Sequence, residues 1–176
     1  MIDISDLTID RIAHQTSNIC RFGGRYNWFS VSEHLCICFD IYKEMAGEKC
    51  CRDELRYIMS HDWCEAIFGD IVKPVKDEVR IKHKGYWTSL CKFEEDINKD
   101  ICKGVWSDYK EWDYDWDYKE IDNMALYVEM AYHSDEDHRH LEETINNALL
   151  ETSVRGHGWA PKQAKIEFLR RFEEIK

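Results

Sequence analysis

The sequence contains little proline and little glycine. Only two prolines and eight glycines occur in 176 residues, while 44% of the residues are hydrophobic. This composition favours a folded and largely helical chain over a disordered one or a β-sandwich with many turns. A chain of this length usually forms one domain around one core, so we expect a single domain over residues 1–176.

Long apolar runs are also absent. The first six residues, MIDISD, are acidic and lack a hydrophobic stretch of signal-peptide length, and no later run approaches the length of a membrane span. We therefore expect a cytoplasmic protein that has no membrane partner.

The eight cysteines do not form the pattern of a zinc site or a disulfide framework. No Cys-x-x-Cys pair occurs, Cys50 and Cys51 are adjacent, and Cys36, Cys38 and Cys64 lie in apolar helical patterns. Cysteine-based zinc sites and secreted disulfide-rich domains are built on other spacings. We expect reduced thiols that mostly pack in the core.

Basic residues are outnumbered by acidic ones. Lys and Arg total 24 against 35 Asp and Glu, which gives a net charge of −11. Such a surface repels nucleic-acid polymers and anionic membranes, so we expect no nucleic-acid polymer as a partner. An anionic small ligand needs a locally basic pocket. Two segments supply cations, the glycine loop with Arg21 and Arg25 and the stretch over residues 73–84.

Hydrophobic residues recur at helical spacing along most of the chain. The pattern predicts a first helix from Ile4 to Cys20 and a last helix that begins near Pro161. Between them, a capping box with Ser30 as N-cap and Glu33 at N3 starts a helix that Gly47 ends. The residues expected to face inward on the capped helix and on the last one are Leu35, Cys38, Ile41, Met45, Ile166, Leu169, Phe172 and Ile175.

Another helix, predicted from about Lys49 to Gly69, carries the most informative residues. His61 and Asp62 are adjacent, and Glu65 follows at helical spacing on the same face. An imidazole and a carboxylate bind divalent cations, while a further carboxylate can move a proton to or from water. A solvated Asp beside a half-buried His is the commoner meaning of such a pair, so more ligands are required.

Two more donors lie on other predicted helices. His34 falls in the first turns of the capped helix, and Asp122 lies beside a helical stripe formed by Ile121, Met124, Ala125 and Val128. The order of donors along the chain is therefore His, His-Asp, Asp. Facing helices of a bundle can project such side chains into one core site.

With these ligands, the chain resembles the HD-domain metal-dependent phosphohydrolases, and more closely their short phage and bacterial members that act on deoxynucleotides. The motifs that carry the resemblance are residues 18–24, 30–34, His61-Asp62 with Glu65, 69–71, 74–76, 119–122 and 158–161. The resemblance implies an all-α, compact HD-domain helical bundle. In it, one divalent cation would be held by His34, His61, Asp62 and Asp122. Such ligands suit Co, Mn, Zn, Fe or Ni ions, and Mg²⁺ can accompany a triphosphate.

The resemblance also implies roles around the cation. Glu65 matches the catalytic acid or base, and Arg21 matches the arginine that clamps the phosphate. Phe22 would pack near the sugar, where an apolar wall disfavours a 2′-hydroxyl, and Asp70 matches a residue near the sugar and leaving group. The best-known bacterial nucleotidases have tryptophan where this chain has Phe22, which leaves sugar selectivity open.

The substrate follows from the same resemblance. Pro74, Lys76 and Lys119 match positions that contact base or phosphates in phage dATP triphosphohydrolases, and Arg80 adds a cation. We therefore expect a dATP-type dNTP triphosphohydrolase that releases deoxynucleoside and triphosphate. The alternatives are a 5′-deoxynucleotidase that acts on dNMPs, and a non-catalytic nucleotide-binding or acidic decoy protein. Related enzymes assemble, so a homo-oligomer is expected.

Two segments do not receive a role. Residues 106–120 alternate aromatic and acidic side chains, which is compatible with a loop, the start of a helix or a packed lid. Residues 133–140 are rich in His and Asp, and this density favours a solvated loop between helices over a second metal site.

Overall fold

Helices dominate the structure, which is a computed structural model that describes residues 4, 6–24, 26–110, 118–133 and 142–176. Helical residues make up 67% of it, and the strands in these ranges form one two-stranded sheet. The prediction of an all-α fold is confirmed. Within the same ranges, no helix is long and apolar enough to cross a membrane.

Nine helices lie in the described part of the chain. Their bounds are α1 Ile9–Ser17, α2 Val31–Ala46, α3 Arg52–Ser60, α4 Glu65–Phe68, α5 Lys73–Glu78, α6 Leu90–Val105, α7 Lys119–His133, α8 Glu142–Glu151 and α9 Pro161–Ile175. Strands β1 (Arg80–His83) and β2 (Tyr86–Ser89) pair antiparallel between α5 and α6. Short 3₁₀ turns cover Phe22–Gly24 and Gly47–Lys49.

Helix α2 lies at the centre and packs against α1, α3, α7 and α9. Leu35, Cys38 and Ile41 are buried as predicted, whereas Met45 is 48% exposed, so its predicted inward position is wrong. Met45 belongs to the last turn, beyond the buried stretch that ends at Tyr42. Gly47 ends the helix as predicted, with a positive φ of 53° that suits glycine.

Only half of the predicted capping box at the start of α2 forms. The Ser30 hydroxyl accepts a hydrogen bond from the Glu33 N–H at 3.2 Å, as expected for an N-cap. The Glu33 carboxylate does not turn back to Ser30. It accepts three backbone N–H groups instead, those of His157, Gly158 and Trp159, at 2.6–2.8 Å. A buried glutamate thereby anchors the segment before α9 to the central helix.

Helix α1 is shorter than predicted at both ends. It begins at Ile9, because the Thr8 hydroxyl accepts the Arg11 N–H as an N-cap, rather than at Ile4. It ends at Ser17, and the N–H of Asn18 closes the last turn on the Gln15 carbonyl.

The predicted helix from Lys49 to Gly69 is interrupted, so that prediction is wrong. Helix α3 ends at Ser60 and α4 starts at Glu65, which leaves residues 61–64 as a turn between them. The side-chain amide of Asn98, on α6, donates to the Ser60 carbonyl and accepts the Cys64 N–H. An uninterrupted α-helix would join that carbonyl and that N–H directly, and an inserted side chain breaks such a ladder.

The last helix, α9, begins at Pro161 as predicted, and Phe172 and Ile175 are buried as predicted. Phe168 is fully buried, while Ile166 is 49% exposed and Leu169 is half-buried, so the predicted inward position of Ile166 is wrong. Phe168 and Phe172 lie beside Trp63, which is fully buried between the helices. Contact with a neighbouring ring, which periodicity does not reveal, selects the buried face.

The cysteines behave as predicted. All eight lie in the described part of the chain, and each is a free thiol. Cys36, Cys38, Cys64 and Cys102 are buried, while Cys51 and Cys91 are exposed.

Candidate metal centre

The four predicted metal ligands meet at one point in the interior. His34 comes from the first turn of α2, His61 and Asp62 come from the turn between α3 and α4, and Asp122 comes from the first turn of α7. His34 Nε2 lies 3.2 Å from His61 Nε2 and 3.2 Å from Asp122 Oδ1. Asp62 Oδ2 lies 3.3 Å from His61 Nε2 and 3.8 Å from His34 Nε2.

The second nitrogen of each imidazole shows which atom carries the proton. His34 Nδ1 lies 2.5 Å from a carboxylate oxygen of Glu129, and His61 Nδ1 lies 2.7 Å from the Ile58 carbonyl. Both partners accept only, because Glu129 is ionised and a carbonyl has no proton. Both Nδ1 atoms therefore donate, and in the neutral imidazoles that bind metals both Nε2 atoms would turn lone pairs towards each other across 3.2 Å.

Two facing lone pairs require positive charge between them. A single proton would serve only the two nitrogens, whereas oxygens of Asp62 and Asp122 also point into this space. Bonds of about 2.0–2.2 Å in tetrahedral geometry place neighbouring donor atoms about 3.3 Å apart, close to the spacing found here. The donor set therefore fits a divalent cation.

The charges around this point support the same conclusion. Burial alone would lower the pKa of His34 and His61, yet neighbouring acidic groups raise the pKa of both above its usual value. Burial would raise the pKa of Asp62 and Asp122, but His61 and His34 hold the pKa of Asp62 far below its usual range, and His34 lowers that of Asp122 to about 2. Ionised carboxylates surround the gap, which therefore attracts a cation.

A cysteine also reaches this centre. One donor atom each from His34, Cys38, His61 and Asp122 lies within 4.8 Å of the others, and this cluster could hold a metal ion. The sulfur of Cys38 is 3.5 Å from Nε2 and 3.9 Å from Nδ1 of His34, so it lies beside the ring rather than in line with the Nε2 lone pair. Burial raises the pKa of the Cys38 thiol in the metal-free protein. Cys38, within the cluster, and Asp62, beside it, are therefore alternative donors for the fourth position.

Glu129, which was not predicted from the sequence, binds two side chains of the centre, those of His34 and Arg21. Its carboxylate is fully buried and binds His34 Nδ1 with one oxygen and Arg21 Nε with the other, at 3.1 Å. Burial would raise its pKa, but Arg21 and His34 bring the pKa below its usual value. Glu129 follows Asp122 by seven residues on α7, two helical turns along the same face. That spacing is the signal that could have revealed it.

Arg21 lies beside the predicted ligands. Its Nη1 atom is 3.8 Å from Asp62 Oδ2, and its side chain is only 13% exposed. The next residue, Phe22, has a φ of 60°, a left-handed conformation that is costly for a bulky side chain. Arg25, the other cation predicted on this loop, lies outside the described residues.

Glu65 is buried next to the centre without being part of it. Its Oε1 lies 3.4 Å from Lys76 Nζ, and its Oε2 has no hydrogen-bond partner in the ranges that the structure describes. Burial, together with the negative charge of Asp62, raises the pKa of Glu65 to about 8. Lys76 Nζ is also 3.2 Å from Glu94 Oε1. A carboxyl group with such a pKa can hold or release a proton near neutral pH.

The centre opens into a cavity of about 990 Å³. The predicted site residues that line it are Arg21, Phe22, His61, Asp62, Glu65, Asp70, Lys76, Lys119 and Asp122. Lys73, Lys92 and Lys99 also line it, and the sequence analysis did not single them out.

Two predicted substrate-binding residues do not line this cavity. Pro74 is exposed in the first turn of α5, and Arg80 is exposed on β1 rather than one helical turn after Lys76. The Arg80 guanidinium donates to the carbonyls of Asp77 and Val79. The chain turns from helix to strand at Val79, and this directs Arg80 away from the cavity.

Two predictions fall partly on residues that the structure does not describe. The aromatic and acidic segment includes residues 111–117, and the segment rich in His and Asp includes residues 134–140. Of their described ends, Tyr118 lines the cavity and Trp106 is buried against Trp63. His133 is buried among aromatic rings, including Phe22 and Tyr26.

Comparison of the chain with protein-family models gives no match, and comparison with curated proteins gives none either. The relation to HD phosphohydrolases thus stays a prediction from the sequence motifs. The distances between the donor atoms of the centre do not depend on that relation.

Proposed function

We propose that this protein is a metal-dependent phosphohydrolase of 2′-deoxynucleotides. The observation that supports the proposal most is the pair of Nε2 atoms of His34 and His61, 3.2 Å apart, with two carboxylate oxygens beside them. A cation site next to a buried carboxyl group and a buried guanidinium, at the end of a large cavity, is suited to hydrolysis of a phosphate ester.

His34, His61, Asp62 and Asp122 would hold the cation. When bound, a divalent ion polarises a phosphoryl oxygen and lowers the pKa of water. Imidazole and carboxylate donors favour Mn, Co, Fe, Ni or Zn ions, and Mg²⁺ would accompany a triphosphate substrate. The protein contributes a fixed donor set, because Glu129 and the Ile58 carbonyl orient the two imidazoles.

Arg21 would bind the phosphate. Glu129 holds its Nε atom, so the guanidinium is fixed with Nη1 directed towards Asp62. A planar guanidinium can donate to two phosphate oxygens and stabilise the charge that develops on them in the transition state. Its burial makes that interaction stronger than it would be in water.

Glu65 would transfer the proton. Its raised pKa lets it hold a proton for the departing alkoxide or remove one from water at neutral pH. Asp70 would lie near the sugar and leaving group, and Phe22 would form an apolar wall that leaves a 2′-hydroxyl without a partner. Replacement of Phe22 by Ala should then chiefly relax discrimination against ribose.

A triphosphate substrate is favoured over a monophosphate. The cavity is at the upper end of the size range of small-molecule sites. Arg21 and five lysines line it together with seven Asp and Glu side chains, so the support for a triphosphate comes from the size of the cavity and from the resemblance rather than from its net charge. We therefore propose a dNTP triphosphohydrolase, dATP-type by resemblance, that releases deoxynucleoside and triphosphate in the cytoplasm. A homo-oligomeric assembly is proposed on the same resemblance.

One assay tests the proposal. Protein stripped of metal is resupplied with single divalent ions and offered all deoxy- and ribonucleoside mono-, di- and triphosphates, and the products are identified. Release of tripolyphosphate supports the proposal. Orthophosphate from monophosphates alone would indicate a 5′-deoxynucleotidase. Absence of turnover with every ion would leave a non-catalytic nucleotide-binding protein as the better conclusion.

A further inference from the structure

One backbone hydrogen bond of a continuous α-helix, between Ser60 and Cys64, is missing at the turn that carries His61 and Asp62. The Asn98 side chain lies in its place. In a continuous α-helix the Ser60 carbonyl would accept the Cys64 N–H. Here Asn98 Nδ2 donates to the Ser60 carbonyl at 2.7 Å, and Asn98 Oδ1 accepts the Cys64 N–H at 3.0 Å. A carbonyl only accepts and a backbone N–H only donates, so these two contacts also determine the orientation of the amide.

The backbone between these two residues tightens as a result. The N–H of Trp63 bonds to the Ser60 carbonyl, that of Glu65 to Asp62 and that of Ala66 to Trp63, all at 3.0–3.1 Å. These are bonds between residues three apart, the pattern of a 3₁₀ helix. Both backbone groups that the missing bond frees are satisfied by the one amide.

This change of pitch alters where the side chains point. An α-helix advances about 100° per residue, so Glu65 would stand about 40° from His61. A 3₁₀ turn advances about 120° per residue, which places Glu65 in line with Asp62 and about 120° from His61. Accordingly, Glu65 does not stand between His61 and Asp62, as it would in an α-helix, and it lies beside Lys76 instead.

We propose that Asn98 is a positioning residue of the metal centre. Its amide holds residues 61–64 in the tight turn, which aims His61 and Asp62 at the cation and keeps Glu65 out of the ligand set as a free acid or base. This inference rests on the proposed metal centre. Asn98 itself lies on the cavity wall, on α6, which contributes no metal ligand.

The test compares Asn98→Leu with Cys102→Ala. Leucine has a similar volume but lacks the amide, so the turn should close towards an α-helix. Cys102 lies one helical turn further along α6 and interacts with Ser60, yet it does not bind the Cys64 N–H. It is buried, whereas Asn98 is half-buried. It therefore controls for loss of packing at this contact.

The readouts are Zn²⁺ affinity, by competition with a chromophoric chelator, and the visible absorption spectrum of the Co²⁺ form. Urea unfolding of the metal-free proteins is measured alongside. For Asn98→Leu we expect about 10–100-fold weaker Zn²⁺ binding and an altered Co²⁺ spectrum, as for loss of other groups that orient ligands. Cys102→Ala should lose stability but retain both properties.

Several results would overturn the inference. If the wild type binds Zn²⁺ and folded Asn98→Leu binds it equally well with the same Co²⁺ spectrum, Asn98 does not position the site. If the wild type binds no divalent ion, the proposed function fails as well. Should Asn98→Leu not fold, Asn98→Asp, which keeps the acceptor for Cys64 but loses the donor to Ser60, takes its place. Failure of both variants to fold would assign Asn98 a purely structural role.

Discussion

The inner and outer ends of the cavity are built differently. At the inner end the two imidazoles are held by buried partners, His34 by Glu129 and His61 by the Ile58 carbonyl. At the outer end, exposed lysines such as Lys92 pair with carboxylates on their own helix. Buried interactions fix direction, whereas exposed ion pairs contribute little and rearrange easily.

This difference separates two tasks. The inner end needs donor atoms in fixed directions, because a cation and a transition state tolerate little displacement. For the proposed triphosphate substrate, the outer end needs only positive charge near a flexible polyphosphate. Substitutions at the inner end should therefore have large effects on metal binding and rate, and those at the outer end should mainly change KM.

The largest effect is expected for Asp62→Ala, which removes a ligand and leaves Arg21 without one of its two carboxylate neighbours. Metal binding should weaken by more than the roughly 100-fold typical of groups behind the ligands, and turnover should be lost. Metal content after dialysis and nucleotide hydrolysis check this. Asp100→Ala, on α6 beside Lys103, is the control and should bind metal normally. Full metal occupancy in Asp62→Ala would show that Cys38 or another donor replaces it.

The next largest effect concerns Glu65→Gln. Turnover should fall about 10²–10⁴-fold, the usual contribution of a general acid or base, with metal affinity retained. An equal loss of turnover and of metal affinity would instead show that Glu65 is a metal ligand.

Glu65→Gln also tests the raised pKa through stability. A carboxyl group with a higher pKa in the folded state than its ordinary 4.5 binds more protons when folded, so wild-type stability falls as pH rises from 4.5 to about 8. Glutamine does not ionise. In metal-free protein, Glu65→Gln should gain about 2–4 kcal/mol relative to wild type between pH 4.5 and 8.5. Urea unfolding measures the free energy of unfolding of both proteins. If the difference between the two does not change with pH across this range, the pKa of Glu65 is not raised.

A smaller effect is expected for Glu129→Gln. The amide can still accept from His34, but the charge that holds Arg21 and favours the Nδ1 proton is lost. Metal affinity should fall about 10–100-fold. Glu120→Gln, exposed on the same helix, serves as the matched control in isothermal titration. Equal affinities for the two variants would show that Glu129 acts only in packing.

The smallest effects distinguish Lys76, in the cavity wall, from Arg80, which is exposed outside the cavity. Lys76→Ala should raise KM for a triphosphate about tenfold with less change in kcat, because it removes a partly buried cation from the cavity wall. Arg80→Ala should change neither constant by more than about twofold, since an exposed charge outside the cavity contributes little. Steady-state kinetics decide. A larger effect of Arg80→Ala would mean that the hairpin closes over the substrate.

Much of the helical framework could be read from local signals. Ser30 does cap α2, Gly47 and Gly69 end their helices, and Pro161 starts α9, because caps and turns depend on residues that are close in sequence. The buried positions of Met45 and Ile166 were predicted wrongly, since periodicity alone does not show how far a neighbouring helix extends.

The residues that could bind a cation were recognisable in the sequence: His34, the His61-Asp62 pair, Asp122 and, one turn beyond, Glu65. Their roles in the site depend on how the helices pack. Glu129 is an ordinary helical acid until α7 packs against α2, and Asn98 is an ordinary helical amide until α6 brings it to Ser60. Both act over long sequence separations, where a buried polar group is defined by the partner that satisfies it rather than by its neighbours in the chain.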